Sequence, residues 1–369
     1  MEKVNIVNID PNAILNSLAN GNEKNYYSIP SEPFDFYGGV YFNEKYDCFC
    51  RMDMDVAEKV SPNVKELAQT TCGGRVRFAT NSKEIFIKLE YEELEHTSCM
   101  AYASRSGITL IEETDNNKIF SALTLWPLLE DRTEFSYDIA INYNIPLNSK
   151  DKKVRYYTLF LPLHQTKIKK IIIGLDKDSI VTHGRKYKFD LPILYYGSSI
   201  TQGGYASRID NCYQGFISKW HNVDYINLGF SGNAKGEPVM ADYLATIKSK
   251  VFVLDYDYNS NSPEHLQETH YNLYETYRKH NPTTPIIMMT RPNNKPDMKT
   301  TKKRLEIVQN TYLKAKELGD ENVYFINGQN FFKGKDRASC MLDGTHPTDL
   351  GFYKMAKLLD KVIAPLLKD

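Results

Sequence analysis

Five short apolar runs punctuate the second half of this 369-residue chain: ILYY at 193–196, YINL at 225–228, VFVL at 251–254, IIMM at 286–289 and VYFI at 323–326. Each is too short for a helix and carries no polar alternation, the pattern of a strand buried on both faces. Helix-length segments separate them, including 238–248, 263–280 and 299–318. A last helix is expected from 349 to about 367, with Thr348 placed to cap its N-terminus. Strands that alternate with helices must pair in parallel through crossovers. Residues 189–369 therefore read as a doubly wound α/β/α layer sandwich.

Residues 1–188 have another texture. Apolar and polar residues alternate there, the period of a half-buried strand. Phe135, Tyr137, Ile139 and Ile141 fall on one face, and Ile85, Ile87, Leu89 and Tyr91 on another. Similar runs lie at 75–78 and 154–157, and 169–175 reads as a late strand. Turn-forming clusters at 80–82, 104–107, 115–117 and 148–151 separate the runs. Many short strands with polar turns and no long helical pattern predict a β-sandwich or jelly roll, joined to the second half by a polar linker at 183–190. The 26 tyrosines against 2 tryptophans suit strands and sugar-binding clefts without choosing a ligand.

Several function classes are excluded early. Forty-six basic residues balance 46 acidic ones, so no global field draws the chain to nucleic acid or anionic lipid. No apolar run is long enough to cross a membrane as a helix. The N-terminus lacks the apolar core and cleavage site of a signal peptide, so a cytoplasmic location is expected. Six irregularly spaced cysteines (Cys48, Cys50, Cys72, Cys99, Cys212, Cys340) include a C-x-C but no paired C-x-x-C, and read as buried reduced thiols. His96, His164, His183, His221, His265, His270 and His280 read as surface residues. His265 and His270 stand five apart, which misses the i, i+4 spacing of a zinc pair. No metal site is expected.

In a doubly wound sheet the chemistry sits just beyond the carboxyl ends of the strands. After the first strand comes Gly197-Ser198-Ser199-Ile200-Thr201. A serine in a glycine-flanked turn there exposes its hydroxyl and leaves its N–H free, although Ser and Gly also make ordinary polar turns. The segment is neither G-x-S-x-G nor a phosphate-binding P-loop. After the second strand comes Gly229-Phe230-Ser231-Gly232-Asn233, whose glycines allow close backbone approach to a ligand. After the third comes Asp255-Tyr256-Asp257-Tyr258-Asn259, with an amide donor and two carboxylates, too few convergent ligands for a metal. Before the last helix comes Asp343-Gly344-Thr345-His346-Pro347. There a carboxylate can fix the tautomer of an imidazole that accepts a serine proton.

These four segments, in this order, resemble the SGNH (GDSL-like) hydrolase superfamily over roughly residues 190–369. The resemblance implies Ser199 as nucleophile, His346 as base and Asp343 as its orienting carboxylate. It implies an oxyanion hole from the N–H groups of Ser199 and Gly232 and the amide of Asn259. Two departures stand out. Ser198 occupies the usual Asp position, and the third segment lacks the usual Gly-x-Asn-Asp, leaving Asn261 as a rival to Asn259. The layout of the whole chain is similar to bacterial carbohydrate esterases with a jelly roll before the SGNH domain. That similarity implies a serine esterase that removes O-acetyl groups from sugars or oligosaccharides through an acyl-enzyme, with no cofactor and no metal. The sandwich would bind sugar, close one wall of the site, or serve as a structural or dimerising domain, so homo-oligomers stay open. The alternatives are a lipase or thioesterase of the same superfamily and an inactive carbohydrate-binding protein.

Overall fold

The computed structural model describes residues 23–95, 100–114, 119–127, 135–147, 153–165, 167–292 and 299–368. His96, Cys99 and the turn clusters at 115–117 and 148–151 lie outside the described residues.

The five apolar runs form one parallel sheet in the order Tyr225–Gly229, Ile193–Gly197, Val251–Asp255, Ile286–Met289, Val323–Ile326. Successive side chains point to opposite faces, and both faces are covered. Leu194, Tyr196, Leu228, Phe252, Leu254, Ile286 and Met288 pack with the helices Pro238–Thr246, Pro263–His280 and Lys299–Glu317. Ile193, Tyr195, Val251, Val253, Ile287 and Met289 pack on the other side with Tyr213–His221 and Asp349–Leu366. The continuous hydrophobicity of the strands is a direct consequence of this three-layer build. Two helix starts follow from local chemistry. Ser262 Oγ accepts from His265 N–H ahead of Pro263, and Thr348 Oγ1 accepts from Gly351 N–H. The Tyr213–His221 helix was not foreseen in the sequence.

The first half is the expected β-sandwich. One sheet runs Lys24–Ile29, Ile168–Asp176, Glu84–Glu95, Phe135–Pro146. The other runs Val181–His183, Arg75–Thr80, Arg155–Phe160, Ile108–Glu113, Ile119–Leu125, and every pairing is antiparallel. Ile85, Ile87, Leu89 and Tyr91 all face inward, as their alternation predicts, and meet Val76, Phe78 and Leu159 of the opposite sheet. The cluster at 104–107 is not a simple turn. It closes a short helix, Tyr102–Ser106, with Gly107 at its end.

One stretch of the first half leaves the sandwich. Residues 54–68 form two seven-residue helices, Met54–Val60 and Pro62–Ala68, capped by Asp53 and Ser61. Their Met54, Ala57, Val64 and Ala68 join the core of the parallel sheet beside Met240, Ala241 and Leu244.

Two arginines reach the same sheet from its open edge. Tyr225–Gly229 is an edge strand, so alternate carbonyls on its outer side have no strand to pair with. Arg75 Nη2 donates to Tyr225 O, while Arg51 Nη1 donates to Asn227 O and Nη2 to Gly229 O. The guanidinium of Arg75 lies 3.8 Å from the centre of the Tyr225 ring and that of Arg51 4.3 Å from the Phe230 ring. Both arginines are fully buried. Guanidinium groups from the N-terminal half thus stand where a sixth strand would.

Candidate active site

The Ile193–Gly197 strand lies between Tyr225–Gly229 and Val251–Asp255. The loops that follow these three strands therefore sit side by side at the carboxyl end of the sheet. Backbone packing there is tight. A β-carbon on Gly197 would stand 2.2 Å from Asp255 O, and one on Gly229 2.2 Å from Gln202 N. Phe230 N–H donates to Gly197 O at 2.8 Å, and Ser231 N–H to Gln202 Oε1 at 3.1 Å.

Ser198 is the N-cap of a one-turn helix, Ser199–Gln202. Its hydroxyl accepts from Ile200 N–H and is buried. It is therefore committed to the fold, and Ser199 is left as the first helical residue with its side chain turned away. Ser199 Oγ lies 2.8 Å from His346 Nε2, and His346 Nδ1 lies 2.8 Å from Asp343 Oδ2. Three residues expected to act together are brought into one hydrogen-bonded line across 147 positions of sequence.

The Asp343 carboxylate is held by its own turn, since Oδ1 accepts from Thr345 N–H at 2.8 Å and His346 N–H at 2.7 Å. Partial burial alone would raise its pKa. The backbone N–H groups and the imidazole outweigh that and lower it to about 2. Its side chain is 40% exposed against 17% for His346, so the line runs from a buried serine outward to solvent.

Gly232 follows the neighbouring strand at φ +71 and is exposed, with nothing within 4 Å of where a β-carbon would stand. Asn259 follows the strand on the other side. Its backbone N–H bonds Tyr256 O, and its Oδ1 is buried without a hydrogen-bond partner. Asn261 is exposed.

The two aspartates of the third loop serve the fold. Asp255 Oδ2 accepts from Thr201 Oγ1 and from the Tyr213 hydroxyl, each at 3.1 Å. Burial, with Asp257 beside it, holds its carboxyl well above the usual range. Asp257 Oδ1 accepts from Arg291 N–H, and its Oδ2 is buried without a partner. Among the described residues no group of three or more His, Cys, Asp or Glu is placed to hold a metal ion.

Among the described histidines His183 and His280 are exposed and His221 and His265 half-buried, while His270 and His164 depart furthest from the surface reading. His270 is buried, its Nδ1 2.9 Å from Thr311 Oγ1 and its ring stacked on Tyr256. His164 is half-buried, with a buried Nε2 that has no hydrogen-bond partner and stands 3.7 Å from where a Gly204 β-carbon would be. Burial, with Arg105, Arg51 and His346 nearby, lowers its pKa to about 3, so it is neutral. It lies just past the sandwich strand Arg155–Phe160, so the first half supplies part of the ground beneath the Ser199 turn. Sequence reasoning also passed over Tyr205 and Arg51. Neither belongs to a motif, and their partners are distant in the chain.

Residues 190–364 match the GDSL-like lipase/acylhydrolase family, and residues 24–181 match the N-terminus of SGNH-hydrolase-type esterases. A Bacteroides ovatus protein provisionally described as a GDSL-like lipase has a similar structure, with a TM-score of 0.80 and 28% identity over 93% of this chain and 98% of that one. The salicylyl-acyltransferase of a tetracycline biosynthetic pathway has a TM-score of 0.73 at 15% identity, covering 93% and 97% of the two chains. A family two carbohydrate esterase from Clostridium thermocellum, solved with cellohexaose, has a TM-score of 0.61 at 13% identity, covering 90% and 99%. At those identities the last two speak for the fold alone. No curated protein matches the sequence.

Proposed function

Since its residues 190–364 belong to the GDSL-like lipase/acylhydrolase family, we propose that this chain is a serine esterase that removes O-acetyl groups from sugars or oligosaccharides. The observation that carries the reading is the line Ser199 Oγ, His346 Nε2, His346 Nδ1, Asp343 Oδ2, with 2.8 Å at each hydrogen bond.

In this mechanism Ser199 Oγ attacks the acetyl carbonyl carbon as its proton passes to His346 Nε2. The carbonyl oxygen becomes an oxyanion among the N–H groups of Ser199 and Gly232 and the amide of Asn259. Donors fixed beforehand by tight loops need no reorganisation when that charge develops. The intermediate collapses, His346 returns the proton to the departing sugar oxygen, and acetyl-Ser199 remains. Water then attacks the acetyl group as His346 takes its proton, and acetate and free Ser199 result. Asp343 stabilises the imidazolium and keeps Nδ1 protonated.

The sugar assignment rests on the shared two-part fold with the Clostridium thermocellum carbohydrate esterase and on the tyrosine-rich composition. Acetate release from a panel of acetylated oligosaccharides, with Ser199→Ala beside the wild type, tests it. Release that depends on Ser199 supports the proposal and begins to name the sugar. Ser199-dependent cleavage of p-nitrophenyl acetate alone keeps the mechanism and removes the sugar. No cleavage of either removes the esterase.

A further inference from the structure

The phenol ring of Tyr205 lies on the imidazole of His346, with centroids 4.4 Å apart and planes 29° from parallel. Tyr205 holds this place at φ +72, in the left-handed region. A side chain with a β-carbon is strained there. Glycine would adopt that φ freely, and the two preceding residues, Gly203 and Gly204, are glycines. A bulky residue at such a backbone position points to a task for its side chain.

The loop around Tyr205 is fastened from three directions. Gly204 N–H donates to Ser199 O at 2.8 Å, which ties the loop to the serine turn. Ser104 Oγ, from the sandwich, donates to Ala206 O at 2.5 Å. Ser207 N–H donates to Asp349 Oδ1 at 2.7 Å, and Asn211 Nδ2 to Asp349 Oδ2 at 2.8 Å. Asp349 opens the last helix, three residues after His346. Ring and imidazole are thus carried on two segments bolted to each other.

The exposure of Asp343 gives the clamp its purpose. A carboxylate 40% open to solvent shares its lone pairs with water and holds an imidazole less firmly than a buried one. We infer that Tyr205 is a positioning residue. Its ring fixes the imidazole plane so that Nδ1 stays on Asp343 and Nε2 on Ser199. This deepens the esterase reading and rests on it for its catalytic meaning.

The test compares Tyr205→Phe, which keeps the ring, with Tyr205→Gly, which removes it and relieves the backbone. Tyr205→Asn is a second ring-free variant, since asparagine also tolerates the left-handed region. Beside the melting temperature, two readouts are needed. One is kcat and KM for p-nitrophenyl acetate. The other is the low-field proton NMR signal of His346 Nδ1–H bonded to Asp343, which is independent of turnover. For the ring-free variants the expected result is an undiminished melting temperature, kcat about tenfold lower or more, KM within threefold, and a broadened or lost low-field signal. Tyr205→Phe, which keeps the ring on the imidazole, is expected to retain the low-field signal and a kcat within threefold of the wild type. Ring-free variants with wild-type kcat, or with lowered kcat and an intact low-field signal, overturn the clamp. If the signal depends on the ring in a protein that cleaves no ester, the clamp stands and the esterase reading falls.

Discussion

Replacing Arg51 by methionine sets two large effects against each other. The guanidinium is 1% exposed, and no carboxylate among the described residues pairs with it. Burial pushes its pKa down to about 10, equivalent to roughly 3 kcal/mol of charge burial that methionine would recover. Against this stand three hydrogen bonds to main-chain carbonyls: Nε to Leu67 O at 3.1 Å, Nη1 to Asn227 O at 2.8 Å and Nη2 to Gly229 O at 2.7 Å. Bonds from a charged donor contribute roughly 1.5–3 kcal/mol each, so together roughly 5–9 kcal/mol. The difference predicts that Arg51→Met destabilises the protein by about 2–6 kcal/mol. Urea unfolding followed by circular dichroism measures it. The loss should be accompanied by reduced esterase turnover, because Gly229 opens the loop that carries Gly232. A destabilisation below about 1 kcal/mol would refute the claim that edge hydrogen bonds outweigh the buried charge.

Two other predictions concern the third loop. Asn259→Ala should lower kcat on p-nitrophenyl acetate by about 10²–10³-fold, the usual effect of losing one oxyanion donor, while Asn261→Ala changes little. A loss under threefold for Asn259→Ala, measured by steady-state kinetics, would take the amide out of the oxyanion hole. Burial raises the Asp257 carboxyl from 3.8 to about 6 against the pull of Arg291 and Arg304. The folded state then holds this proton more tightly than the unfolded one. Its contribution to stability is full below about pH 4 and falls by roughly 3 kcal/mol as the pH rises through 6. Urea midpoints between pH 4 and 8 should show that decline in the wild type and a flatter curve in Asp257→Asn, and coincident curves would rule it out.

The parallel sheet was legible in the sequence because burial on both faces forces short, unbroken apolar runs. The helix Pro263–His280 was legible because Ser262 and Pro263 mark its start chemically. The four loop segments were legible because a doubly wound fold places them at one end of one sheet. What escaped was short or depended on distant partners. Met54–Val60 and Pro62–Ala68 have two turns each, too few to display a period of 3.6, though Asp53 and the Ser61-Pro62 pair announced their starts. His270 is buried because Thr311 of another helix and Tyr256 of a loop close over it. Tyr205 has no local signature at all, since the ring it meets is 141 residues away.

The guanidinium-covered edge also bears on the order of synthesis. The N-terminal half that carries Arg51 and Arg75 ends its last strand at His183, and the edge strand begins at Tyr225. At about 5–20 residues per second, roughly two to eight seconds separate the two on the ribosome. The strand most able to recruit a stranger is therefore born beside a finished neighbour. A circular permutation that placed the parallel sheet first would reverse the sequence of events, and the same edge would wait uncovered while the whole sandwich was still being made.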